Sequence, residues 1–136
     1  MPSTHVMQFQ SEELRQIKSI AGSEADCAVL MLNQNRYHPA AGFPHGEEYQ
    51  AYMRVLASTV AQVGGQVLWR TPVHGQPLGC EHDFIHEILA IWYPSYAAFV
   101  SLAKAEGAKD MLRRRERCVA HAVLHRCPGD SYPLQP

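Results

Sequence analysis

The chain has 136 residues, 46% of them hydrophobic, and its 12 basic and 13 acidic side chains leave a formal charge of −1. A chain of this length buries roughly two thirds of its unfolded surface in one core, so a single domain over residues 1–136 is expected. The near-zero charge offers no electrostatic footprint for a phosphate backbone or an anionic membrane, which sets aside nucleic acid and membrane as partners.

The chain begins MPSTHVMQFQ, with neither a basic start nor an apolar run, and no window approaches the ~20 apolar residues of a membrane span, so a cytoplasmic protein is expected. From Ser11 to Ala21, Leu14, Ile17 and Ala21 form one stripe behind Glu12 and Glu13, which suit a helix N-terminus. A strand then runs from Cys27 to Tyr37, and the Pro- and Gly-rich HPAAGFPHG follows as a loop. Tyr49, Tyr52, Met53, Leu56, Val60 and Val63 fall at helical spacing over Glu47 to Val63, and Gly64-Gly65 supplies a left-handed stop. Gln66 to Val73 and Phe84 to Tyr93 read as two strands of a hairpin around HGQPLG. Ser95 N-caps a second long helix that turns Phe99, Val100, Ala103, Met111 and Leu112 to the core and bends at Gly107. A last strand, His121 to Cys127, precedes an irregular tail over 128–136.

After the leading helix 11–21, the core 27–127 thus has the order βαββαβ, the α+β ferredoxin-like arrangement with an antiparallel four-stranded sheet. Two helices cover only one face of such a sheet. The uncovered face needs a partner, and an isologous homodimer closing into a barrel is the economical solution.

The words LNQNRY, GEEYQAYMRVLA, GGQVLWR and EILAIWYPSYAAF, in that order over about Val29 to Phe99, resemble the family called domain of unknown function 1330. The resemblance implies the dimeric α+β barrel superfamily, which includes cofactor-independent monooxygenases of polyketide tailoring, haem-degrading monooxygenases and lactone isomerases. In the superfamily's oxygenases an Asn of the first strand and a Trp near the end of the third point into a pocket between sheet and helices, positions that Asn33 or Asn35 and Trp92 resemble. The family's acidic or tryptophan residue near the start of the third strand is matched here by Ile85-His86, a departure. The histidines of the last strand are likewise particular to this chain.

Physically, an amide holds a carbonyl or enolate oxygen without the cost of burying an ion, which makes Asn33 and Asn35 candidate catalytic residues. The competing reading bonds them to loop backbone or to a dimer partner. Arg36 and Arg70 each end a strand, placed for a substrate carboxylate or for an ion pair with Glu47, Glu48 or Glu87. Tyr49, Trp69 and Trp92 are core fillers or pocket walls. His82 with His86 and His121 with His125 have i, i+4 spacing, but on a strand this spans roughly 13 Å, too far to share one ion, so no metal is expected. His86, His121 or His125 serves instead as acid or base near neutral pH.

The haem-degrading relatives carry their iron ligand on the second helix, and Ser95 to Val119 has no histidine, which argues against haem. Arg113 to Arg117, RRRER, reads as a solvated helix end before an anion site. Cys27, Cys80, Cys118 and Cys127 form no CxxC pair and read as free, buried thiols. The expectation is therefore an enzyme without an organic cofactor, acting on a small carbonyl or aromatic molecule by proton transfer, isomerisation or oxygenation. The alternative is a non-catalytic ligand-binding or stress-associated dimer.

Overall fold

A computed structural model describes residues 9–130; the expected tail 128–136 lies mostly outside the described residues. The elements are α1 (Ser11–Ala21), β1 (Val29–Tyr37), α2 (Glu47–Gln62), β2 (Gln66–Pro72), β3 (Glu87–Tyr93), α3 (Tyr96–Ser101), α4 (Ala108–Cys118) and β4 (Val119–Pro128). The four strands form one antiparallel sheet in the order β2-β3-β1-β4, which is the ferredoxin-like arrangement. No helix among the described residues is long and apolar enough to cross a membrane.

Alternation along the strands sorts side chains onto two faces. Val29, Met31, Asn33, Asn35 and Tyr37 of β1 share the helix-covered face with Glu87, Leu89, Ile91 and Tyr93 of β3. Tyr49, Tyr52, Met53, Leu56 and Val60, the stripe of α2, close the core over them. α1 joins the same layer, because Arg126, paired with Met31 on this face, donates to the Glu13 carboxylate through Nε and Nη2, each at 3.0 Å. Leu30, Leu32, Ile88, Ala90, Trp92 and Val123 lie on the opposite, outer face, and the 3-10 turn at Glu81–Asp83 reaches the edge of this face beside Ile88 and Val123.

Several boundaries differ from the sequence expectation for local reasons. The second long helix is two helices, separated by a 3-10 turn at Leu102–Lys104 and by Gly107 in the left-handed region at φ 86°. The Ser95 cap is as expected, its hydroxyl accepting from the Ala98 N–H at 2.9 Å. The break rotates α4, so Met111 is buried while Leu112, expected in the core, is 45% exposed and Ala103 is also exposed. β3 begins at Glu87 rather than Phe84, because Glu81–Asp83 forms a 3-10 turn and Arg36 holds the His82 and Phe84 carbonyls at 2.7 and 2.8 Å. The cysteines are free, but only Cys118 is buried; Cys27 and Cys80 are exposed and Cys127 is half-buried. In the RRRER run, Arg113 and Arg114 pair with Asp110 and Arg117 approaches Glu48 at 3.8 Å, the arrangement of a solvated helix face.

Candidate active site around a buried glutamate

The first residue of β3 puts a carboxylate into the core: Glu87 is only 2% exposed. Burying a carboxylate is costly unless donors replace its water. Three side chains from three elements supply them. The Tyr37 hydroxyl, at the end of β1, donates to Oε1 at 2.5 Å, and the Tyr49 hydroxyl, from the first turn of α2, donates to Oε2 at 2.6 Å. These are the short distances of charge-assisted O–H···O⁻ bonds. Arg70 of β2 completes the cluster from the solvent side, its Nη1 donating to the Tyr49 oxygen at 2.6 Å and lying 3.4 Å from Glu87 Oε2. The Asn35 amide donates to the Tyr37 oxygen at 3.2 Å.

Burial, and then the hydrogen bond to Glu87, pushes both phenols well above their ordinary range, with Arg70 opposing the shift at Tyr49. Both tyrosines therefore hold their protons firmly and act as donors. Tyr52, in the core nearby, is pushed up to about 12 by burial. His86 flanks the site: its Nδ1 accepts the Tyr37 backbone N–H at 2.9 Å, and its ring lies against Tyr37, Phe43 and Phe84. Burial, and then the nearby Arg36 charge, lowers its pKa below the ordinary imidazole value, as suits a ring whose Nδ1 serves as an acceptor.

The expected site residues are thus divided by the sheet. Asn35, Tyr49 and Arg70 meet at Glu87, with His86 beside them. Asn33 shares the helix-covered face but its amide donates to the Met31 carbonyl at 3.2 Å, away from the cluster. Trp92 is on the outer face, where its Nε1–H donates to the Gly129 carbonyl at 3.0 Å, so Asn33, Asn35 and Trp92 do not line one pocket. His121 and His125 are outer-face residues of β4, and His125 Nε2 lies 3.0 Å from Gln34 Oε1. Trp69 is on the same outer face and half-exposed. Arg36 makes no ion pair among the described residues, because both of its recorded bonds go to loop carbonyls. Among those residues no cluster of three or more His, Cys, Asp or Glu side chains is placed to hold a metal ion.

Glu87, considered from sequence only as a possible ion-pair partner, and Tyr37 are the two residues missed. Counting back by two from Tyr93, Ile91 and Leu89 puts Glu87 on the buried face, a signal available in EILAIWY. The third strand begins at Glu87, so Ile85-His86 lies in the connection before it.

No protein-family model matches the chain, and no curated protein matches it. Among solved structures, the chain is similar to RPA0582, a protein of unknown function from Rhodopseudomonas palustris, at 25% identity and a TM-score of 0.76, covering 98% of this chain and 100% of that one. The methylated form of RPA0582 matches with the same identity and TM-score, over 98% of each chain. The chain therefore shares its α+β fold, over nearly its whole length, with a protein of unknown function.

Proposed function

We propose that this protein is a homodimeric small-molecule enzyme that moves a proton on a carbonyl compound without an organic cofactor. The observation that carries the reading is the buried Glu87 carboxylate, served by two protonated tyrosines, with the partly exposed Arg70 beside it. The Arg70 side chain is 44% exposed and lies 3.4 Å from Glu87 while donating to the Tyr49 oxygen at 2.6 Å, so it is the member that shifts to admit a ligand and stays beside Tyr49 to receive it. A ligand carbonyl oxygen then lies beside the Arg70 guanidinium and accepts the Tyr49 O–H, which turns from Glu87 to the ligand, with the ligand's α-carbon facing the freed Glu87 carboxylate oxygen. The C–H bond breaks, the proton passes to Glu87, and the electron pair becomes an enolate whose oxygen accepts from Arg70 and Tyr49. Return of the proton to a different carbon gives an isomer. Capture of the carbanion by molecular oxygen is the oxygenase variant of the same first step. The resemblance to the domain of unknown function 1330 family supports a pocket of this kind on the helix-covered side of the sheet.

Exchange of the α-protons of acetylacetone into deuterium oxide, followed by NMR, tests the reading. The native protein is expected to accelerate exchange, and Glu87→Gln to lose on the order of 100-fold or more of that acceleration. Tyr49→Phe, which keeps the ring, is expected to lose a smaller share. No acceleration by the native protein, or equal rates for Glu87→Gln, overturns it. A second reading, a non-catalytic ligand-binding dimer, is favoured by one observation: Tyr37 and Tyr49 already satisfy both carboxylate oxygens and fill the space around them. On that reading Glu87→Gln lowers stability and changes no rate.

A further inference from the structure

The arginines of the RRRER run are mostly spent on acidic neighbours: Arg113 and Arg114 pair with Asp110, and Arg117 approaches Glu48 at 3.8 Å. Arg115 differs in both placement and partners. It falls four residues after Met111 and three before Cys118, both buried, so it occupies the core-facing stripe of α4. It is half-buried and makes neither an ion pair nor a hydrogen bond among the described residues. Taking a guanidinium partly out of water without an acceptor for its protons is costly, so this position calls for one.

What Arg115 faces follows from how α4 lies on α2. The two helices are antiparallel. At one end Cys118 Sγ donates to the Glu48 carbonyl at 3.4 Å; at the other, Gln62 holds the Glu106 backbone through bonds of 2.7 and 3.0 Å, and Thr59 lies beside Gly107. Counting inward from either anchor sets Arg115 level with Tyr52. Tyr52 is 4% exposed, and Tyr93, whose ring enters the same layer from the end of β3, is 2% exposed. A buried phenol ordinarily donates its hydroxyl proton to a partner, yet neither of these hydroxyls makes a hydrogen bond among the described residues. Glu48 Oε2 is the one sealed side-chain oxygen without a partner among those residues, so the two phenol oxygens keep an opening where an acceptor fits.

Burial pushes both hydroxyls up, Tyr52 to about 12; Tyr52 adds to the rise at Tyr93, and the Arg115 charge opposes it at both. The three groups therefore sense one another, and both phenols keep their protons. At Tyr52 the Arg115 charge acts more strongly than the Glu87 carboxylate, so a single negative charge is favoured beside these donors. A carboxylate suits the planar guanidinium fork, whereas one cation does not offset a dianion. The surroundings are apolar: Leu56 is one turn on from Tyr52, Met111 one turn before Arg115, and Phe99 meets the Tyr93 ring edge-on at 5.1 Å.

We propose that Tyr52, Tyr93 and Arg115 form a carboxylate-binding site in the helix layer, for a small monocarboxylate with an apolar body. One carboxylate oxygen accepts from Arg115 and the other from the two phenols. The site is on the opposite side of the sheet from the face that the homodimer covers, and it does not depend on proton transfer at Glu87.

Titration calorimetry of the full chain with butyrate and benzoate, each beside its uncharged amide, tests this. At least one acid is expected to bind saturably, one per chain, and its amide on the order of tenfold more weakly or worse. Arg115→Met, which keeps the apolar stem on the stripe, is expected to weaken the acid on the order of tenfold, and Tyr52→Phe and Tyr93→Phe severalfold each, with urea unfolding showing that the variants fold. Arg113→Met, on the exposed face of α4, and Arg70→Met, in the Glu87 cluster, are expected to leave the affinity unchanged. The proposal is overturned if neither acid binds, if the amides bind as well as the acids, or if Arg115→Met and both phenylalanine variants retain full affinity. It is overturned equally if Arg113→Met costs as much as Arg115→Met, because a general surface charge then holds the anion, or if the loss follows Arg70→Met, because the anion then sits at the Glu87 cluster.

Discussion

Asn33 and Asn35 separate cleanly once their partners are known. Asn35 is buried and its amide supports the Tyr37 hydroxyl that serves Glu87, whereas Asn33 is half-buried and bonds only to its own strand. Asn35→Leu is expected to cost about 1–3 kcal/mol in chemical denaturation, because it strands a buried partner, while Asn33→Leu is expected to be nearly neutral. Equal costs at both positions would show that the Glu87 cluster does not depend on the Asn35 amide. His86 makes a pH prediction at the same scale. Its folded pKa lies below the unfolded 6.5, so between the two values the unfolded chain binds more protons than the native one. The stabilisation is therefore complete above pH 6.5 and is lost as pH falls through the lowered folded value. Urea midpoints measured from pH 7.5 down to pH 5 are expected to decline in the native protein and to flatten in His86→Asn, which keeps an acceptor without titrating in that window; an unchanged slope in the variant would assign the decline elsewhere.

Among the elements, the clearest divergence from a periodic reading is the division of the second helix. Phe99, Val100 and Met111 carry a helical pattern straight through Gly107, and nothing in that pattern says which turn gives way. The φ of 86° at Gly107 does, since an L-residue there takes up a strained left-handed conformation. Gly107→Ala is expected to cost about 1–2 kcal/mol from conformation alone. A methyl group there would meet only the Thr59 hydroxyl, at an ordinary 3.6 Å, so no clash adds to it. A thermal midpoint unchanged by the substitution would mean that the α3–α4 junction readily adopts another conformation. The β2–β3 connection is a comparable case: HGQPLG is legible as a turn region, but its anchorage by Arg36 from β1 is not, because the donor and the carbonyls it holds lie 46 and 48 residues apart.

For the whole molecule, the outer face carries Leu30, Leu32, Ile88, Trp92 and Val123, and Trp69 beside them is 50% exposed. Such a surface supports the proposed isologous homodimer. Light scattering at micromolar concentration is expected to give twice the chain's 15.2 kDa, and Trp69→Glu to shift the population toward monomer. A native protein that runs as a clean 15.2 kDa monomer would remove the barrel from consideration.

By itself the sequence determined the element order, the α+β class and the composition of the α2 stripe, because these follow from period and turn chemistry, which are local. It also carried the phase that buries Glu87, since alternation of two is a property of one strand. Only the tertiary structure decided which side chains meet. Trp92 and Asn33 are both on central strands of one sheet, yet they face opposite ways because their positions differ by an odd number from residues that pair in register, Asn33 with Leu89 and Leu30 with Trp92. Pairing register is set by contacts between segments more than fifty residues apart, and no pattern within either segment contains it. The same register that separated the expected pocket residues brought Tyr37 and Arg70 to Glu87, and the packing of α2 on the sheet added Tyr49.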